Sequence, residues 1–188
     1  MKVFNEYLSL EGMTELKQHF RENGQKILMK KNNLFFHRER LNNSIGLIVS
    51  GGFRYLSYTT QGESRTVGYS FENDFVVDYA TFQKREKPIV DAQAISDSIL
   101  LTISHQELNR FYEAYKDKQF ARKAAEIWLG DIYKRMLSLY CDTPEERYLK
   151  IINQYPDLLN RVSLKEIASF ISVTPETLSR IRRKIFRL

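Results

Sequence analysis

The stretch VSLKEIASFISVTPETLSRIRRKIFRL, residues 162–188, decides how the rest of the chain is read. It holds two short helical patterns separated by a tight connection. Ser163 followed three residues later by Glu166 is a capping box, in which hydroxyl and carboxylate each satisfy an N–H that a first helical turn leaves open. A helix is therefore expected from Leu164, with Ile167, Ala168 and Ile171 on its apolar side. A second start follows at once. Thr174 can cap, Pro175 suits a first helical position that needs no N–H, and Glu176 suits the positive end of the helix dipole. At about 100° per residue, Arg180, Arg183 and Arg187 fall in a narrow arc with Glu176, while Leu178, Ile181 and Ile185 fall opposite.

From Thr177 onward the chain carries Arg180, Arg182, Arg183, Lys184 and Arg187 and no acidic residue, against a whole-chain formal charge of +6. Two helices joined by a short turn, the second basic on its outer face, form the pattern of a helix-turn-helix whose second helix enters the DNA major groove. A solvated basic helix on a small α-domain is the plainer reading. Caps, turn length and the segregation of charge onto one face agree on DNA.

Working outward, 188 residues with 43% hydrophobic and 28% charged side chains are enough for one large domain or two small ones. No apolar run approaches the roughly eighteen residues of a membrane span, and MKVFNEYLSLEG carries Glu6 and Glu11 where a signal peptide is apolar, so a cytoplasmic protein is expected. The single cysteine, Cys141, excludes an internal disulfide, a thiolate zinc site and a four-cysteine iron–sulfur cluster.

Residues 3–20 place Phe4, Tyr7, Leu8, Met13, Leu16 and Phe20 at helical spacing, interrupted near Gly12. From about Gln25 the period becomes two, with strands expected around Ile27–Met29, Leu34–Phe36, Ile45–Val49, Phe53–Thr59, Arg65–Ser70, Ile89–Ala94 and Ser98–Ile103. The clearest hairpin is 53–70, and Ala80–Pro88 reads as a polar, charged segment between strands. About eight short strands suggest a sandwich or jelly roll. Ser104 and Glu107 form a further capping box, and the remainder is helical. Within it Ala125, Leu129, Ile132, Met136 and Leu139 recur at alternating spacings of four and three. This seam suits either packing within the chain or a dimer interface, and the DNA reading favours the dimer. Asp142-Thr143-Pro144-Glu145-Glu146 ends that helix, starts the next, and marks the best domain boundary.

In this order the elements resemble the Crp/Fnr family of bacterial transcription regulators. IGLIVSGGFRYLSYTTQGESRTVGYSFENDFVVDY (45–79) looks like the family's sensor β-roll and TPETLSRIRRK (174–184) like its recognition helix. The resemblance implies an α+β protein: a jelly-roll (double-stranded β-helix) sensor over 1–118, a long dimerisation helix over 119–141, and a helix-turn-helix domain over 142–188. Because the sequence stops after the recognition helix, a full wing is not expected. The family's Glu followed by Ser-Arg, all facing bases, is matched by Glu176, Ser179 and Arg180. Arg can make a bidentate pair with guanine, Glu can accept from cytosine N4, and Ser can touch either base type. Arg183, Arg187 and Thr174 are then phosphate contacts. Two departures stand out: some relatives carry Arg where Pro175 stands, and the turn commonly uses Gly where Ser172 stands. The implied partners are double-stranded DNA, a second copy of the chain, RNA polymerase and an unidentified small-molecule effector.

Relatives that bind a cyclic nucleotide hold its phosphate on a helix N-terminus and an Arg. Here Pro88 stands at that Arg, and Asp74 or Asp78 stands near a ribose-binding Glu without its Gly, so no cyclic nucleotide is expected. Asp74, Asp78 and Tyr79 are the candidate effector pocket. Tyr55, Tyr58, Tyr69, Phe71 and Phe75 read as strand packing. A cupin-like enzyme needs convergent metal ligands, but His19, His37 and His105 lie on separate expected elements, so neither metal, cofactor nor enzymatic activity is expected. The alternative to a regulator is a small-molecule-binding β-roll whose helical tail mediates assembly.

Overall fold

The computed structural model of the chain describes residues 4–186. Residues 6–9 form a 3-10 turn and α1 spans Met13–Asn23. The strands are β1 (Gln25–Met29), β2 (Leu34–Phe36), β3 (Ser44–Ser50), β4 (Gly52–Tyr58), β5 (Ser64–Phe71) and β6 (Phe75–Val76). Then come α2 (Tyr79–Lys84), β7 (Asp91–Ala94), β8 (Ser98–Ser104), α3 (His105–Ala114) and α4 (Phe120–Cys141). The chain continues with α5 (Pro144–Gln154), α6 (Leu158–Arg161), α7 (Leu164–Phe170) and α8 (Pro175–Phe186). The residues cluster into two compact units, one ending at Trp128 and one beginning at Leu129.

The strands form two antiparallel four-stranded sheets in the orders β1-β8-β3-β6 and β2-β7-β4-β5, the interleaved pairing of a jelly roll. The hairpin read from sequence is β4–β5, with Gly52 opposite Phe71 and Tyr58 opposite Ser64. It is entered through Gly51 at φ 88, where a Cβ would lie 2.1 Å from the Ser98 hydroxyl, so only glycine fits. Alternation along the strands sends Phe36, Ile48, Phe53, Val76, Ala92 and Leu100 into one buried cluster joined by Tyr55. A second cluster forms where Met13, Leu16 and Phe20 of α1 and Leu108 and Phe111 of α3 meet Ile45, Leu47 and Ile103. Each fully buried aromatic or aliphatic side chain there contributes about 1.5–3 kcal/mol relative to exposure.

Two local expectations are corrected. Across most of the first half of the segment read as polar and charged runs a helix not expected there, α2, six residues long and without a side-chain cap on Asp78. It is held because Thr81 and Phe82 are buried and because Arg85, in the left-handed region at φ 60, turns the chain out. At Ser104 the capping box is half made. The hydroxyl accepts from Glu107 N at 3.1 Å, but the Glu107 carboxylate pairs with Arg110 (2.9 Å) and His19 (3.1 Å) instead of reaching back. The boxes at Thr143/Glu146 and Ser163/Glu166 are complete and reciprocal.

Candidate nucleic-acid interface and sensor centre

In the second unit, α5 to α8 enclose a core of Tyr148, Ile151, Leu158, Val162, Ile167, Ala168, Ile171, Leu178 and Ile181, all buried. The first helix of the pair, α7, starts at its complete box and ends in a Schellman turn. Val173 N donates to Ala168 O (2.9 Å) and Ser172 N to Ser169 O (3.1 Å). That turn forces Ser172 to φ 57, the left-handed conformation that glycine adopts without strain. Thr174 then starts α8, its hydroxyl accepting from Thr177 N at 3.2 Å, with Pro175 in the first helical position.

The predicted face is made. Leu178 and Ile181 are buried, while Glu176, Ser179, Arg180 and Arg183 are exposed on the other side together with Thr174. The Glu176 carboxyl is held below its ordinary range by hydrogen bonding to its own N–H and, secondarily, to the Thr174 hydroxyl. It therefore stays an ionised, acceptor-only group at neutral pH. Arg180 is exposed, with a 3.3 Å contact from its guanidinium to the Thr177 hydroxyl. Arg187 lies outside the described residues. The remaining basic residues divide: Lys184 pairs with Glu145 of α5 at 2.6 Å and Arg182 is half-buried, so Arg180 and Arg183 are the exposed guanidiniums of the described helix.

Sequence reading missed Arg147. From α5 its Nε donates to Ile171 O (2.8 Å) and a terminal nitrogen donates to Asp142 O (2.7 Å), placing a cation on the carbonyl end of α7 just before the turn. An i,i+3 or i,i+4 search cannot find such a contact, because its partner lies 24 residues away.

Along α4 the seam residues Leu129 (62% exposed), Ile132 (36%), Met136 (44%) and Leu139 (46%) lie open, and Ala125 is half-buried. An apolar row this exposed calls for a cover.

Within the first unit, the three candidate effector-pocket residues, Asp74, Asp78 and Tyr79, each have partners among the protein's own groups. Asp74 is 1% exposed and accepts from Asn5 Nδ2 (2.6 Å), from Phe75 N (2.6 Å) and from the Tyr7 hydroxyl. Burial raises its carboxyl above the ordinary range, and these hydrogen bonds only partly oppose the rise. Asp78 accepts from Ile89 N (2.9 Å) through its side chain, and from Phe82 N and the Thr81 hydroxyl through its backbone. Tyr79 donates to the Tyr112 hydroxyl at 3.4 Å. The Tyr55 hydroxyl reaches Phe75 O, Val77 N and the Ser70 hydroxyl at 3.2–3.3 Å, occupying the backbone polar groups on either side of Val76. Pro88 is buried. Tyr69 and Phe71 stack on each other at 5.8 Å, as strand packing requires.

Residues 26–115 match the cyclic nucleotide-binding domain family. No curated protein sequence matches the chain. Among solved structures, it is similar to FixK2 from Bradyrhizobium japonicum, with a TM-score of 0.74 and 18% identity over 87% of this chain and 85% of that one. It is also similar to CLP, a c-di-GMP-responsive global regulator from Xanthomonas campestris (TM-score 0.70, 14% identity, 93% and 92% covered). A third likeness is to the Thermus thermophilus catabolite activator protein (TM-score 0.58, 18% identity, 96% and 86% covered).

Proposed function

From a chain whose residues 26–115 form a cyclic nucleotide-binding family domain and whose fold is that of the Crp/Fnr regulators, we propose a dimeric, sequence-specific DNA-binding transcription regulator. The observation that carries this reading is the face of α8. Glu176, Ser179 and Arg180 stand exposed side by side on a helix that is capped at Thr174 and anchored by Leu178 and Ile181. Arg180 is the guanine reader, Glu176 the cytosine acceptor and Ser179 the adaptable contact. Thr174, Arg183 and Arg187 hold phosphates and set the register.

The exposed row on α4 supports a two-fold partner, and a dimer would present two such helices to half-sites about 34 Å apart. RNA polymerase is a further partner under this reading. No cyclic nucleotide is included, because the carboxylates of Asp74 and Asp78 and the hydroxyl of Tyr55 are already engaged by the protein's own groups.

The test is a binding titration on a cognate duplex. Arg180→Ala is expected to weaken binding by about 1–3 kcal/mol and to relax selectivity at one base pair, whereas Arg183→Ala weakens all sequences alike and lowers the salt slope by about one. Wild-type protein that binds no duplex at low salt would refute the proposal.

A further inference from the structure

Along the second half of α4 the usual amphipathic arrangement is inverted. The polar side chains Asp131, Arg135 and Ser138 are buried or half-buried, while the seam residues and, beside them, Tyr133 (54%) and Tyr140 (82%) are exposed. The exposed apolar arc is therefore wider than a seam. With Leu129 and Met136 at heptad position a and Ile132 and Leu139 at d, Tyr133 and Tyr140 both fall at e, and Trp128 and Arg135 both fall at g. Trp128 and Arg135 are half-buried.

The e and g positions flank a two-helix seam, and charged residues there commonly set partner choice and orientation. At two e positions this chain carries tyrosine instead. In a parallel, in-register pair, a g residue meets the e residue of the next heptad on the other helix. Trp128 then meets Tyr133 of the partner subunit, and Arg135 meets Tyr140 of the partner subunit. The first is a pair of aromatic rings and the second a guanidinium against a phenol ring, so both contacts attract. Stacking uses the flat face of a guanidinium and hydrogen bonding its edge, so the second contact is compatible with the 3.4 Å contact from Arg135 Nε to Asp131 O. An antiparallel pair would set e against e and g against g, and would lose both.

We infer that Tyr133 and Tyr140 are an interaction surface for a second copy of this chain, packing on its Trp128 and Arg135 and fixing a parallel register. Two-fold symmetry makes each contact twice. The seam has need of them, because its two heptads fall short of the three or four that make a two-helix coil firm. Parallel helices also suit two copies of α8 that must face one duplex.

The inference rests on the dimer proposed above, and sedimentation equilibrium of the full chain tests the two separately. Met136→Ser probes the seam, Tyr133→Ser and Tyr140→Ser probe the flanks, and Lys134→Ser, at an exposed position off the seam, controls for the cost of serine in a helix. Each tyrosine variant is expected to raise the dimer dissociation constant about tenfold, the scale of an aromatic or cation–π contact made twice, with Lys134→Ser within about twofold of wild type. Arg135→Gln should weaken the dimer as Tyr140→Ser does, and the two together no further than one. Trp128, the single tryptophan, gives a second readout: its emission should move to longer wavelength as wild type is diluted to monomer. Tyrosine variants that dimerise like wild type while Met136→Ser does not would overturn the flanks and keep the dimer, and simple addition of the Arg135 and Tyr140 effects would overturn their pairing. Wild type that is monomeric at every concentration would overturn dimer and flanks together.

Discussion

Two carboxylates, Asp74 and Glu176, lie in opposite circumstances. Asp74 is buried, accepts from Asn5, Tyr7 and Phe75 N and has its carboxyl raised by burial. Glu176 is exposed at a helix start, with its carboxyl lowered by backbone and hydroxyl donors and its outer face open. The first organises the chain; the second is available to a partner. The contrast lies in how far each carboxylate is already engaged by the protein's own donors. What matters is whether its hydrogen-bonding capacity is already used within the protein.

The largest effect that separates the two is expected at Asp74. Asp74→Ala removes the acceptor of the Tyr7 hydroxyl and of Phe75 N, and one of the two acceptors of Asn5, in a buried place, and should destabilise the roll by about 3 kcal/mol or more in denaturant unfolding. Glu176→Ala should leave unfolding nearly unchanged and act on DNA binding alone. Equal unfolding midpoints for the two variants would erase the distinction.

A smaller change of opposite sign is expected in the turn before α8. Ser172→Gly relieves the left-handed strain at φ 57, partly offset by the greater freedom of the unfolded chain, and should stabilise the second unit by about 1 kcal/mol. Ser172→Val should destabilise it. A thermal melt that moves downward for the glycine variant would contradict the reading of the turn.

pH supplies a third comparison. Because burial raises the folded Asp74 carboxyl above its exposed value, the folded roll holds that proton more tightly than the unfolded chain does. Its contribution therefore favours folding at low pH, and stability is lost as pH rises through the raised value. Subtracting the stability of Asp74→Asn from wild type at each pH should leave a difference that declines with rising pH across the acidic range. A difference that rises with pH would show that hydrogen bonding, not desolvation, governs the group.

The smallest expected effect concerns the dimer. Cys141 falls outside the heptad positions occupied by Leu129, Ile132, Met136 and Leu139, so under oxidation the native protein should cross-link poorly and Leu139→Cys readily. Efficient linkage through Cys141 alone would move the interface off the seam.

What could be read from sequence follows the range of the interactions. The boxes at Ser163/Glu166 and Thr143/Glu146, the Thr174-Pro175 start and the β4–β5 hairpin are set by residues a few positions apart, and their pattern is in the string itself. The β-roll followed from the change of period at Gln25 and its return at Ser104. By contrast, α2 is six residues long with no side-chain cap, and tertiary burial of Thr81 and Phe82 decides it. Asn5 and Tyr7 reach Asp74 across 69 and 67 residues, and Arg147 reaches Ile171 across 24. No local pattern marks such pairs. Asp74 and Asp78 were therefore legible as unusual acids in an apolar stretch, but not as acids whose partners lie within the chain.

Selection of bound duplexes from a random DNA library, performed with wild type and Arg180→Ala side by side, tests the central claim most directly. The expected result is a palindromic consensus with half-sites about one helical turn apart and one G·C pair whose enrichment disappears in the variant. A library that shows no enrichment at low salt, or the same consensus with and without Arg180, would contradict it.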